Sequence, residues 1–113
     1  MSAITSHILD VSRGRPAANV GVRLDVEVDG EWQQIGDGTT DDDGRVNELL
    51  PEHHDLVAGN YRIVFESGDY FAGQDIDSFY PRVEVNFRVG AAREHFHVPL
   101  LLSPHGYSTY RGS

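Results

Sequence analysis

Two imidazoles set two residues apart, His95 and His97, are the groups in this 113-residue chain whose type and spacing most directly permit chemistry. In an extended strand the period of two places both rings on one face and leaves Phe96, Val98 and Leu100 on the other. A pair so placed has three uses. It can decorate a wet surface with no further role. It can chelate a metal ion, with His7 or the His53 and His54 pair as additional ligands. It can take a proton from water, because a neutral imidazole is available near neutral pH. Spacing alone leaves all three open. Arg45 follows Asp41-Asp42-Asp43-Gly44, where a guanidinium either pairs with the aspartates or binds an anionic ligand. The ending Tyr110-Arg111-Gly112-Ser113 gathers an aromatic ring, a cation and hydroxyls where a chain usually frays. It is either a loose tail or a segment whose carboxylate is held.

These groups need a scaffold, and the alternation of apolar and polar residues specifies one. Val20, Val22, Leu24, Val26 and Val28 alternate with Gly21, Arg23, Asp25, Glu27 and Asp29, the pattern of a strand with one wet face. Asp29-Gly30 supplies residues tolerant of positive φ for a tight hairpin, and Trp32 to Ile35 begins the return strand. Asp43-Gly44 marks a second turn. Tyr61 to Phe65 and Val83 to Val89 repeat the alternation. With Ala3 to Val11, Arg45 to Leu49, Glu94 to Leu101 and Tyr107 to Arg111, about eight short strands result, an all-β antiparallel sandwich. Gly68 to Gln74 lacks the period of two and is expected to form a short helical turn. Pro51 to Gly59 is expected to be a loop crossing between sheets. No repeat or linker divides residues 1–113, so a single domain is expected. Val98 to Leu102 is more continuously apolar than a half-buried strand requires, as though a second subunit covered its other face.

Composition removes several function classes. A chain of this size with 39% hydrophobic residues builds a core without staples. Cysteine is absent, which excludes thiol nucleophiles, zinc ribbons and iron–sulfur clusters. All nine cations are arginine, so a Schiff-base lysine and a Walker A phosphate loop are excluded as well. A net charge of -9 with no basic cluster argues against nucleic acid. The first residues, Met1 to His7, carry neither a basic segment nor an apolar run, so no signal peptide or membrane anchor is expected and a cytoplasmic location is.

Ser6-His7-Ile8-Leu9-Asp10 with Gly14-Arg15-Pro16-Ala17, Phe79-Tyr80-Pro81, His95 through Pro104, and the ending Gly106 to Ser113 resemble the 5-hydroxyisourate hydrolase family of transthyretin-related proteins. The resemblance covers essentially the whole chain. Transthyretin shares the Leu-Leu-Ser-Pro turn but lacks the Tyr-Arg-Gly-Ser ending. What the resemblance implies is a transthyretin-like sandwich of about eight strands with one short helix. It further implies a homotetramer with active sites at the dimer–dimer interface, and hydrolysis of 5-hydroxyisourate at a cyclic amide of its six-membered ring, yielding a ureidoimidazoline carboxylate without metal or other cofactor. The matching positions are His7, Arg45 and His97 as catalytic residues and Tyr110, Arg111, Gly112 and Ser113 as the substrate-binding ending. His95, His53, His54 and His105 receive no catalytic match, and Phe96 stands where tyrosine is also common. The alternative is a transthyretin-like small-molecule carrier without turnover, which would have no use for His7, Arg45, His97 and the ending together.

Overall fold

The computed structural model describes residues 3–90 and 94–113, so Met1 and Ser2 of the N-terminal reading and Arg93 lie outside the described residues. Within them the order is β1 (Ile4–Asp10), β2 (Arg15–Pro16), β3 (Gly21–Val28), β4 (Glu31–Thr39), β5 (Arg45–Val46), β6 (Gly59–Phe65), α1 (Ser67–Ala72), β7 (Val83–Val89), β8 (Phe96–Ser103) and β9 (Gly106–Thr109). Every anticipated strand is present, and the two-residue β2 is an addition. One sheet runs β4-β3-β6-β7 and is antiparallel throughout. The other runs β2-β1-β8-β9, with β5 also paired to β1.

Within this second sheet β1 and β8 run parallel, from Ile4 opposite Phe96 to Asp10 opposite Leu102. The sandwich is therefore mixed in one place rather than purely antiparallel. Parallel neighbours need a long crossover, and the entire first sheet supplies it.

The period of two sets the core. β8 turns Phe96, Val98, Leu100 and Leu102 inward against Ile4 and Ile8 of β1, Val22 and Leu24 of β3, and Tyr61, Ile63 and Phe65 of β6. The inward hydroxyl of Ser6, fully buried, donates to the Val98 carbonyl at 2.7 Å. The same alternation leaves Thr5, His7 and Leu9 of β1 beside His97, Pro99 and Leu101 of β8 on the outer face. Pro99 is already buried there and Leu101 is half-buried.

Some boundaries differ from the sequence reading for local reasons. β5 ends at Val46 instead of Leu49; beyond it Leu49 and Leu50 are adjacent and both buried, outside the register that pairs β5 with β1. β4 continues to Thr39 past a bulge opposite Leu24 and Asp25. The helix starts at Ser67 and stops at Ala72. β9 ends at Thr109, after which Gly112 alone bridges back to His97. The anticipated hairpin is present, with Asp29 at φ 53° and Gly30 at φ 81°.

Two devices fix β1, the strand that carries His7. At its end the buried Asp10 carboxylate accepts the Ser12 and Arg13 amides at 3.1 and 3.2 Å and the Tyr70 hydroxyl of α1 at 2.7 Å. Burial, reinforced by Asp10, pushes the Tyr70 phenol up, so it keeps the proton it donates. Beside His7, Asp41 Oδ1 accepts the Asp43 and Arg45 amides at 2.9 and 3.0 Å, winding a turn that ends in Gly44 at φ 76°. The Gly44 carbonyl accepts the Ile8 amide at 2.8 Å, bringing Arg45 opposite His7.

A Cβ on Gly44 would run into the Ile8 carbonyl oxygen. Left-handed backbone alone costs a residue with a side chain about 1–2 kcal/mol. Gly44→Ala is therefore expected to lower the thermal midpoint by roughly 5 °C or more. Differential scanning calorimetry checks this, and an unchanged midpoint would show that the turn relaxes freely.

Candidate active site

Strand register assembles the catalytic candidates on the outer face of the mixed sheet. His7 and Arg45 are direct partners across β1 and β5. On the other side of β1, Thr5 lies opposite His97 and His7 opposite Pro99, so His7 and His97 are diagonal neighbours. Both imidazoles are half-buried, whereas Arg45 is exposed. Among the described residues no carboxylate lies within ion-pair distance of the Arg45 guanidinium. The Asp41 carboxylate is engaged by the backbone amides of its own turn, and the charge of Arg45 is left for the face it shares with the histidines.

Each candidate histidine has a polar partner of its own. His97 Nδ1 lies 2.8 Å from Thr5 Oγ1, and the same oxygen lies 3.0 Å from His95 Nε2. For His7 the partner is the Asp43 backbone, which favours the protonated ring. A partner on one ring nitrogen fixes the ring and leaves the other for chemistry. Thr5 was not singled out from the sequence. Its position two residues before His7, on the same strand face, was the available signal.

Both imidazoles are pushed below their ordinary pKa. For His97 burial acts first, followed by the charge of Arg45, with His7 and His95 adding to the same direction. For His7 burial and then Arg45 outweigh the Asp43 carbonyl and the Asp41 and Asp43 charges, which pull upward. Neutral rings able to accept a proton are the result at neutral pH.

The C-terminal segment reaches this face through its backbone. The Gly112 amide donates to the His97 carbonyl at 2.8 Å. A Cβ on Gly112 would come within 2.6 Å of His97 Cδ2, so a glycine is required beside the ring edge that carries Nε2. Just before it, Thr109 Oγ1 donates to the Pro99 carbonyl at 2.7 Å. Arg111 stacks 4.7 Å over the Phe96 ring and lies 3.7 Å from Glu94. Tyr110 and Ser113 are exposed. A cleft of about 230 Å³ between β7 and the β8–β9 pair is lined by His97, Tyr110 and Arg111 among others, but by neither His7 nor Arg45. In one chain the reactive groups therefore lie on an open face rather than in a closed pocket.

Metal binding by the His95 and His97 pair finds a competing arrangement, since one nitrogen of each ring converges on the Thr5 hydroxyl. Among the described residues no three histidine, aspartate or glutamate side chains gather as a metal site. His53 and His54 stack on each other at 4.8 Å, and His105 sits in the exposed turn beyond the far end of β8.

Fold and site together define a class, a two-sheet β-sandwich with a histidine-and-arginine face on its mixed sheet. Residues 4–112 match the model of the HIUase/Transthyretin family, and the chain belongs to that family. A 5-hydroxyisourate hydrolase of Salmonella dublin is 46% identical over 110 residues, covering 97% of this chain and 80% of that protein. Among solved structures, Klebsiella pneumoniae 5-hydroxyisourate hydrolase superposes with a TM-score of 0.85 at 36% identity, covering 97% of this chain and 98% of that one. Sea bream transthyretin in complex with thyroxine superposes with a TM-score of 0.90 at 33% identity, covering 97% and 94%. Backbone similarity thus spans a hydrolase and a transthyretin with thyroxine bound alike. The side chains on the outer face have to distinguish them.

Lowered imidazole pKa values have a definite pH consequence. Because the folded values lie below the unfolded value of 6.5, the unfolded chain binds more protons between them, and stability is lost as pH falls from 6.5 towards the folded values. Arg45→Gln removes one cause of the shift from both rings. Their titrations, followed by the ring C–H proton resonances, are expected to move up towards 6.5. Unmoved titrations would place the guanidinium too far away to act on either ring.

Proposed function

We propose that this chain opens the six-membered ring of 5-hydroxyisourate by hydrolysis at a cyclic amide, without a metal or other cofactor. The observation that carries this reading is the meeting of two imidazoles of lowered pKa, His7 and His97, with Arg45, which has no ion-pair partner among the described residues, on one sheet face. A carrier of apolar ligands gains nothing from that combination. Family membership and the hydrolases among the relatives support the same choice.

The chemistry follows from what ring opening requires. Water adds to a ring carbonyl and its proton passes to a base; the carbonyl oxygen becomes an oxyanion; the carbon–nitrogen bond breaks as the nitrogen receives a proton. His7 and His97 divide the two proton transfers between them. Arg45 binds the ring oxygens and stabilises the oxyanion. It also supplies local positive potential on a chain whose net charge of -9 repels an anionic substrate at long range. Tyr110, Arg111, Gly112 and Ser113 border the substrate, with Gly112 holding the chain end against His97. The Arg111 contacts with Glu94 and Phe96 give that residue a largely structural share.

We also infer that residues 1–113 act as one domain, that the enzyme works in the cytoplasm, and that four copies assemble with active sites at the dimer–dimer interface. Support for assembly comes from the open site, the exposure of Tyr110 at 58%, and the free edges that β7 and β9 present in their sheets. A second copy over the outer face would enclose the histidines and exclude water.

The deciding experiment generates 5-hydroxyisourate with urate oxidase and follows its ultraviolet decay with chelator present. Wild-type protein is expected to accelerate the decay, and His97→Asn to lower turnover by about 100- to 10,000-fold with the fold intact. Decay no faster than the blank would favour the carrier. Sedimentation velocity at micromolar concentration is expected to show a four-chain species; monomer alone would rule out a shared site.

A further inference from the structure

We propose that Thr5 is a positioning residue of this site: its hydroxyl bridges His97 and His95, holds the His97 ring by Nδ1, and leaves the lone pair on Nε2. The inference rests on the hydrolase reading for its catalytic meaning, but its geometry stands apart from that reading.

Thr5 Oγ1 lies 2.8 Å from His97 Nδ1 and 3.0 Å from His95 Nε2. The residue is only 3% exposed, so water competes poorly for its hydroxyl. A hydroxyl has a single proton to donate, and two neutral imidazoles cannot both receive it. At least one ring must therefore donate its N–H to the oxygen, whose two lone pairs can accept from either ring or from both. If His97 Nδ1–H donates to Oγ1 and the hydroxyl donates to His95 Nε2, all three atoms are satisfied and His97 Nε2 is a free base. The reverse arrangement also satisfies them but puts a proton on His97 Nε2, which then cannot accept one from water.

The charge on the face selects between the two. Arg45 stands on the opposite edge of β1 and acts on His97 through space. A cation favours a lone pair over an N–H on the ring edge it acts on, and with Nδ1 held on Thr5 the edge left for that choice is Nε2. Gly112 leaves room at the same edge of the ring, where a side chain would collide with Cδ2. His95, exposed on the far side of Thr5, takes the complementary proton arrangement and links the pair to solvent. Thr5 thus specifies which proton task falls to His97, and the geometry assigns it the role of base.

The test separates tautomer from turnover. In the wild-type protein at pH 8, two-bond proton–nitrogen spectra of the imidazoles are expected to show His97 with Nδ1 protonated and Nε2 unprotonated. Thr5→Val keeps the shape and removes the hydroxyl. It is expected to mix the His97 tautomers and lower kcat by about 10- to 100-fold with KM little changed, while Thr5→Ser restores both readouts. His95→Ala, at an exposed position, provides a variant that folds regardless and is expected to raise the Nε2-protonated fraction of His97. A wild-type ring protonated on Nε2, or tautomers unmoved in both Thr5→Val and His95→Ala, would overturn the proposal. If the tautomer shifts occur but wild-type protein fails to accelerate substrate decay, the hydrolase reading falls while the positioning of His97 by Thr5 stands.

Discussion

The parallel register of β1 on β8 is the constraint from which the site follows. It sets Thr5 opposite His97 and His7 opposite Pro99. A slip of one residue by β1 would turn His7 into the core and Ile8 to the outside, and one by β8 would do the same to His97 and Leu100. Such a slip is opposed by the apolar residues that fill the sandwich from these two strands, so the energy that packs the core also aligns the imidazoles. Arg45 then depends on β1 from the other edge, through the Gly44 turn. Three reactive groups from three separate segments are placed by one strand.

Around that strand the polar groups are arranged so that few charges compete with the site. Asp10 is occupied by amides and Tyr70, and Asp41 by the amides of its own turn. Asp25, nearly fully buried, is bound by Arg62 at 2.6 Å and Arg23 at 3.1 Å on the opposite sheet. Arg45 is left without such a partner among the described residues. An acidic molecule thereby keeps one cation beside two neutral imidazoles, which sets this outer face apart from a surface merely suited to an apolar ligand.

Much of this was legible from residue types and spacing. The alternation along Val83 to Val89 gave a strand with the correct inward face, that along Val20 to Asp29 did so for Val20, Val22 and Leu24 while Val28 is exposed and Asp25 buried, and Asp29-Gly30 gave the hairpin, because these signals are local. The catalytic candidates came from matching sequence motifs, and their convergence was visible only in the fold. The parallel pairing was not legible, since a period of two is the same in either direction. Nor was the early end of β5, beyond which Leu49 and Leu50 are both buried. Thr5 escaped notice because a threonine in a strand ordinarily needs no function; only the approach of two imidazoles from about 90 residues away gives it one. The hold of Gly112 on His97 likewise arises from a bridge between segments with no periodic signature.

The crossover also governs when the site can exist. Hairpins and near neighbours build the β4-β3-β6-β7 sheet, so its contacts close short stretches of chain. The β1–β8 pairing closes a loop of about 90 residues and bears the larger entropy of ring closure before any contact offsets it. Until Phe96 and the residues after it are in place, one edge of β1 has no partner and Thr5 faces no imidazole. Assembly of the candidate site and completion of the fold are in this molecule the same event, so a partly folded chain does not bring these groups together.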